Sequence, residues 1–224
     1  MLGSTITRIS DFPYYSRSGP EICVASTKAF TSQISWGFVL AMAIADKYNQ
    51  ARKEIMEISD KLQNYFSKKL LSQMQSIAKK MAKKEHFFVL GKGQNYYLAL
   101  EGALKVKEIT YKHFEGFSAG ELKHGVIALI DKGTPVFVIV SEDEYKNDML
   151  SAAAQVKARG AYVVGIGKSS NELFNDFIKT ADISSNGIDS IPNVIPFQLL
   201  SYFLGVHLGN SPDKPRNLAK SVTV

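Results

Sequence analysis

The fold of this chain is decided by residues 87–125, which read FFVLGKGQNYYLALEGALKVKEITYKHFEGFSAGELKHG. The apolar run at 87–90 predicts a buried strand, and the glycines at 91 and 93 predict a tight turn directly after it. The residues that follow keep a helical pattern. The stretch therefore has the order strand, glycine turn, helix, which in a parallel sheet places polar groups at the carboxyl edge, where ligands commonly bind.

Four charged residues recur along the predicted helix at spacings of four, three and four, namely Glu101, Lys105, Glu108 and Lys112. At about 100° per residue they fall on one face of the helix. Two interpretations stay open on this pattern alone. The residues form surface ion pairs worth about a few tenths of a kcal/mol each, or they line a cleft in which Glu108 acts as a general base and Lys105 keeps it ionised.

The composition favours one large α/β domain. The chain has 224 residues, of which 45% are hydrophobic, and this is enough for a sizeable core. A single cysteine, Cys23, excludes an internal disulfide, and no cluster of cysteine and histidine predicts a bound metal. We therefore expect a protein of the reducing cytoplasm that needs no metal and no other cofactor.

The formal net charge is +6, and much of the excess comes from lysines between residues 68 and 84. A solvated helix face explains these lysines better than a nucleic-acid site, because few aromatic residues accompany them. The charge also suits an anionic small substrate such as a sugar phosphate. The apolar stretch at 36–45 is shorter than the roughly 20 residues that cross a bilayer, so we expect neither a nucleic-acid nor a membrane partner.

Apolar runs alternate with helical patterns along the rest of the chain. The predicted strands lie at 86–90, 134–140, 161–166 and 181–184, with a fifth expected from the early residues. The predicted helices lie at 27–48, 51–84 with a break near 70–72, 143–159, 172–178 and 196–208, and a loop is expected at 112–124. This order predicts a three-layer αβα sandwich with a mostly parallel sheet of about five strands.

We divide the chain into three parts. Residues 1–20 read as a remnant or linker, because no strand precedes them and they resemble the end of a unit that begins elsewhere. Residues 21–212 form the predicted α/β domain, in which Ser26 or Thr27 is expected to cap the first long helix. Residues 213–224 are a polar tail that contains proline.

Two further residues are candidates for chemistry. His124 lies between glycines soon after the predicted catalytic helix, and an imidazole there could move a proton at a sugar ring oxygen. Lys220 lies close to the end of the chain and could form an imine with a carbonyl substrate if the tail folds over a site. A lone loop histidine is more often simply exposed, and a terminal lysine is more often inert.

Four segments carry a resemblance to a known family. They are EICVASTKAFTSQ at 21–33, ALEGALKVKEITY at 99–111, AGELKHG at 119–125 and PRNLAKSVTV at 215–224. Together they resemble the sugar isomerase (SIS) half of the glucosamine-6-phosphate synthases, which are also called isomerising glutamine–fructose-6-phosphate aminotransferases. The resemblance covers nearly the whole chain and implies an SIS-type sheet of parallel strands.

The resemblance also implies roles for individual residues. Glu108 matches the base that moves hydrogen between C1 and C2, and Lys105 matches a supporting lysine of the active site. His124 matches a histidine that opens the sugar ring and that reaches the site from the neighbouring subunit of a dimer. Lys220 matches a lysine that forms an imine. The positions that match sugar contacts or the covering tail are Val24, Ser26 and Ala219.

The implied reaction turns fructose 6-phosphate and ammonia, which is released from glutamine, into glucosamine 6-phosphate. No segment here matches the family's glutaminase domain or its first SIS domain, which holds the phosphate. The chain is therefore expected to be a partner-dependent catalytic subunit or fragment, with a homodimer and possibly a separate chain supplying the missing half. The alternatives are a sugar-phosphate-binding module without turnover and a truncated product with a structural role.

Overall fold

The computed structural model of the chain describes residues 3–183 and 188–219. In this part of the chain the helices are α1 (Thr5–Ile9), α2 (Thr27–Ile44), α3 (Tyr48–Tyr65), α4 (Lys68–Met81), α5 (Gln94–Thr110), α6 (Lys146–Lys157) and α7 (Ser190–His207). The strands are β1 (His86–Gly91), β2 (His113–Ser118), β3 (Pro135–Val140), β4 (Tyr162–Gly167) and β5 (Asp176–Lys179). Two short 3₁₀ helices, Ala119–His124 and Val126–Leu129, follow β2.

The five strands form one sheet in the order β2-β1-β3-β4-β5, and all four neighbouring pairs are parallel. Alternate residues of β1 point to opposite faces. Phe87 and Val89 pack in the core beneath α4, α5 and α7, whereas Phe88 and Leu90 pack in the core beneath α6 and the 3₁₀ segment. The predicted αβα sandwich with a five-stranded parallel sheet is confirmed.

The predicted strands at 86–90, 134–140 and 161–166 correspond to β1, β3 and β4, but the prediction for the sheet edge beside β1 is wrong. A loop was expected at 112–124, whereas the chain forms β2 and then a 3₁₀ helix. Gly116 explains the error, because a Cβ there would lie 2.7 Å from backbone atoms of Ala99 in α5. This glycine lets a strand pass under a helix and does not form a turn. The early residues, expected to supply a strand, form α1 and an irregular segment instead.

The predictions for the opposite edge of the sheet are also wrong. The helix expected at 172–178 is replaced by the short strand β5, and residues 181–183 of the strand expected at 181–184 form no strand, while residue 184 lies outside the described residues. Tertiary contacts hold β5 in place. The Asp176 carboxylate accepts a hydrogen bond from the Tyr162 hydroxyl at 2.6 Å and pairs with Lys80 at 2.8 Å. Asn175 also accepts the backbone N–H of Val163 through its side chain. None of these partners is close in sequence, so local patterns do not reveal them.

Several helix boundaries also differ from the sequence prediction. α2 ends at Ile44, short of the expected residue 48. The break expected near 70–72 falls at 66–67, where the Ser67 hydroxyl accepts the backbone N–H of Leu70 and caps α4. α7 begins at Ser190, so Pro196, the expected first residue, lies inside the helix. Among the residues that the structure describes, every helix is too short or too polar to span a bilayer.

α5 and α7 lie side by side, and small residues let them approach closely. A Cβ at Gly102 would lie 2.6 Å from the ring of Phe197. The Ser201 hydroxyl of α7 donates a hydrogen bond to the backbone carbonyl of Lys105 at 2.6 Å. α5 therefore has a fixed rotation about its axis, which decides where its charged residues point.

Candidate active site

Lys105 is a buried hub that joins two helical carboxylates to a distant loop. Only 3% of the residue is exposed. Its Nζ lies 2.9 Å from Oε2 of Glu108 and 3.5 Å from Oε1 of Glu101, and it donates a hydrogen bond to the backbone carbonyl of Ala25. A buried ammonium that meets three oxygens is not a solvated surface pair. The helical spacing therefore produces an internal charged cluster at this position.

Lys112, the fourth of the charged residues predicted to share one helix face, lies outside this cluster. α5 ends at Thr110, and Tyr111 adopts a left-handed conformation with φ +61°. Lys112 is consequently directed to another partner, and its Nζ lies 2.8 Å from Oε1 of Glu85. Lys112 therefore pairs with Glu85 and not with a carboxylate of α5.

The cluster also lies away from the expected edge of the sheet. α5 starts at the carboxyl end of β1 and ends before the amino end of β2, so Glu108, in its last turn, lies toward the amino edge. At the carboxyl edge, buried side chains fill the crevice between β1 and β3. Asn95 donates to the Ser141 hydroxyl at 2.8 Å, and Asn193 donates to both at 3.1 Å. These three buried side chains therefore form a hydrogen-bonded network at the carboxyl edge, on the side of the sheet away from Glu108.

The loop before α2 forms one wall beside Lys105. Val24 is partly buried next to Ala25, whose carbonyl accepts the Lys105 hydrogen bond. Ser26 precedes α2 as predicted, but its side chain makes no capping bond, and its φ of +55° is left-handed. Glu21 takes over the capping role, because its carboxylate accepts the backbone N–H of Lys28 at 3.0 Å. Sequence reasoning missed Glu21, although an acidic residue shortly before a helix start is a recognisable signal.

The C-terminal tail approaches the same region from another direction. The Cys23 thiol donates a hydrogen bond to the carbonyl of Pro212 at 2.7 Å. The backbone N–H of Arg216 donates to the Tyr111 hydroxyl at 2.8 Å, so the tail contacts the end of α5. Ala219 is exposed. Lys220 lies outside the described residues.

His124 is not brought together with the other candidates in the chain. It ends the 3₁₀ helix beyond the carboxyl end of β2 and is exposed. Across residues 3–183 and 188–219, no hydrogen bond or ion pair joins His124 to Glu108 or Lys105. The role of His124 stays a prediction.

The electrostatics of the cluster are uneven. Burial raises the pKa of Glu101 above its ordinary value, while Lys105 lowers that pKa and Glu108 raises it. Oε2 of Glu108 is buried, and although it pairs with Lys105 it accepts no hydrogen bond of good geometry from the residues described. The side chain of Glu108 is 16% exposed, so part of this residue can be reached from outside the cluster.

The raised pKa of Glu101 gives a pH-dependent stability. The folded state holds the Glu101 proton to a higher pH than the unfolded state, whose carboxyl titrates near 4.5. Stability contributed at this site therefore falls as the pH rises above that value. We expect Glu101→Gln to gain stability relative to the unmodified chain between pH 4.5 and pH 7, as measured by urea denaturation. Glu121→Gln, at an exposed position, is the control. If the free energy of unfolding changes with pH in the same way in all three proteins, Glu101 is not the source of the pH dependence.

Comparison with known proteins gives a consistent picture. The SIS domain model matches residues 80–202. Glutamine–fructose-6-phosphate aminotransferase (isomerizing) from Methanothermobacter thermautotrophicus is 40% identical over 230 residues, which cover 100% of this chain and 38% of that protein. The enzyme of the same name from Streptococcus pneumoniae R6 is 40% identical over 228 residues, covering 99% of this chain and 38% of that protein.

A solved structure supports the same relationship. The C-terminal domain of glucosamine-fructose-6-phosphate aminotransferase from Francisella tularensis superposes with a TM-score of 0.83 at 32% sequence identity. The match covers 96% of this chain and 63% of that structure. The chain thus spans 38% of the length of the two full-length relatives.

Proposed function

Because this chain belongs to the SIS domain family, we propose that it performs the isomerase step of its relatives' reaction. In that step fructose 6-phosphate and ammonia become glucosamine 6-phosphate. The observation that carries this proposal is the Lys105–Glu108 pair, in which the buried Lys105 ammonium lies 2.9 Å from Oε2 and holds the carboxylate in place while the Glu108 side chain stays 16% exposed.

Glu108 is the proposed base. Lys220 condenses with the C2 carbonyl of the open-chain ketose and releases water, and ammonia then displaces the Lys220 amine, which leaves a protonated carbon–nitrogen double bond at C2. Glu108 takes a proton from C1; the electrons of the broken C–H bond form a double bond between C1 and C2, and the π electrons of the carbon–nitrogen bond move onto nitrogen. Loss of the O1 proton then gives an aldehyde at C1, while the electrons of the C1–C2 double bond take the proton back from Glu108 at C2, which leaves an amine at C2. A rigid helix suits this step, because the base must stay aligned with a planar intermediate.

The other candidates support this step. Lys105 holds the Glu108 carboxylate from one side and ties it to the loop that contains Val24 and Ser26, which we propose contact the sugar. His124 opens the sugar ring in the site of a second copy, so the active form is a homodimer. Lys220 forms the imine with the open-chain ketose, and Ala219 belongs to the covering tail.

We further propose that a partner supplies the functions that the matched segment does not include. The relatives extend well beyond the matched region, and the partner would provide ammonia from glutamine and hold the phosphate. The surface around α2 supports this idea. The structure describes all 18 residues of α2, and none of them is buried, so this helix has a face that a partner could cover. The exposed apolar side chains of this surface are Ile6, Ile9, Phe12, Leu40 and Ile44. The protein is proposed to act in the cytoplasm. Its proposed parts are a linker at 1–20, an α/β domain at 21–212 and a C-terminal tail at 213–224.

The test is a direct assay. The purified chain is mixed with fructose 6-phosphate and ammonium, with and without the N-terminal half of a relative such as the Streptococcus pneumoniae enzyme. We expect glucosamine 6-phosphate in the mixture that contains both halves. If neither mixture yields product but calorimetry shows that the chain binds fructose 6-phosphate, the result would instead support a binding module without turnover.

A further inference from the structure

The last turn of α5 and the C-terminal tail are joined by a two-part contact. The Arg216 backbone N–H donates a hydrogen bond to the Tyr111 hydroxyl at 2.8 Å. The Arg216 guanidinium carbon also lies 4.2 Å from the centre of the Tyr111 ring, within the range of a cation–π contact. One tyrosine therefore binds both the backbone and the side chain of the same tail residue.

Other contacts fix the chain just before Arg216. Pro215 is buried. The Pro212 carbonyl accepts the Cys23 thiol at 2.7 Å, and the Asn210 side chain donates to the carbonyl of Ile109 in α5 at 2.9 Å. Residues 212–216 are therefore held at both ends. The loop before α2 contacts Pro212, and Tyr111 at the end of α5 contacts Arg216.

Tyr111 has a left-handed backbone conformation at the end of α5. Its φ of +61° lies in the left-handed region, which an L-residue with a bulky side chain rarely adopts. Ser26 and Asn217 also have positive φ, at +55° and +60°. Ser26 lies in the loop before α2 and Asn217 in the tail next to Arg216, and strained residues persist where surrounding contacts determine them.

We propose that Tyr111 is a positioning residue that holds the C-terminal tail, through Arg216, in a fixed place relative to the helical turn that carries Glu108. Tyr111 follows Glu108 by three residues, so the contact with the tail lies within about one helical turn of the carboxylate. The contact itself is independent of any reaction. Its consequence for catalysis, that the tail is aligned with Glu108, rests on the proposed function.

The test measures the tail directly and needs no substrate. Tyr111→Phe keeps the ring but removes the hydroxyl that accepts the Arg216 N–H. We expect the Arg216 amide to exchange its hydrogen roughly 2- to 10-fold faster by NMR in this variant. Amides in the middle of α5 should keep their rates, and the melting temperature should stay nearly constant. Tyr97→Phe, at an exposed position on the same helix, is the matched control and should leave the Arg216 amide unchanged.

A second pair of variants separates the two parts of the contact. Tyr111→Ala removes the ring as well, so trypsin should cleave after Arg216 several-fold faster, seen by mass spectrometry as loss of residues 217–224. Arg216→Lys keeps the backbone N–H and should retain the slow amide exchange. An unchanged Arg216 amide in both Tyr111 variants would overturn the proposal. Because neither readout depends on turnover, failure of the enzymatic assay would leave this result interpretable.

Discussion

Replacing Glu108 by glutamine is expected to slow proton transfer between C1 and C2 by about 10²- to 10⁴-fold, the usual contribution of a positioned acid–base group. Glutamine has nearly the same shape but cannot take up the proton. Lys105 keeps Glu101 and the Ala25 carbonyl as partners, so its buried ammonium is not left unpaired in the variant. The measurement is deuterium exchange at C1 of the sugar in D₂O, followed by NMR in the preparation that contains both halves.

Two controls make this result specific. Glu121→Gln changes an exposed carboxylate and should leave the exchange rate within about twofold. Calorimetric binding of fructose 6-phosphate to Glu108→Gln should remain close to that of the unmodified chain, because the variant alters a proton acceptor and not the shape of the site. An exchange rate in Glu108→Gln that stays near the unmodified value would show that another group is the base.

The sequence was sufficient to predict the centre of the sheet. β1, β3 and β4 are buried on both faces, so each appears as a nearly continuous apolar run. Residues 135–140, for example, are buried throughout. The turn glycines before α5 and the helical pattern after them fixed the order of elements. These features are local, and local patterns are what a single sequence displays.

The edges of the sheet could not be predicted in the same way. β2 contains Gly116, and a glycine in a short polar segment normally indicates a loop. Its actual reason is the backbone of Ala99 passing close by, a contact that only the folded chain contains. β5 depends similarly on the side chains of Tyr162 and Lys80, which lie far from it in sequence.

The candidate site shows both the strength and the limit of helical spacing. The spacing placed Glu101, Lys105 and Glu108 on one face, and the structure brings the three together. It also placed Lys112 there, because the spacing does not show that the helix ends at Thr110. The loop that contains Ala25, 80 residues away in sequence, lies against Lys105 and accepts its hydrogen bond. The spacing of residues along one helix cannot reveal such a contact. The roles of His124 and Lys220 came from the resemblance and remain predictions.

Lys105→Met is expected to destabilise the fold by about 3 kcal/mol at pH 7, the lower end of the range for breaking a buried ion pair. The variant fills most of the space but leaves two carboxylates without their shared cation and the Ala25 carbonyl without its donor. The side chains of Glu101 and Glu108 are 18% and 16% exposed, so water screens part of the loss. The free energy of unfolding is measured with urea at pH 7 and again near pH 4.5.

The pH comparison and two further variants identify the cause of this loss. Burial raises the pKa of Glu101, so this carboxyl is protonated at the lower pH and the cost of removing Lys105 should shrink. Lys107→Met changes an exposed lysine of the same helix and should alter stability by no more than about 0.5 kcal/mol. Adding Glu101→Gln and Glu108→Gln to Lys105→Met removes the stranded charges and should restore much of the stability. If Lys105→Met proves as stable as Lys107→Met at pH 7, the cluster is not the buried charge network that the proposed base requires.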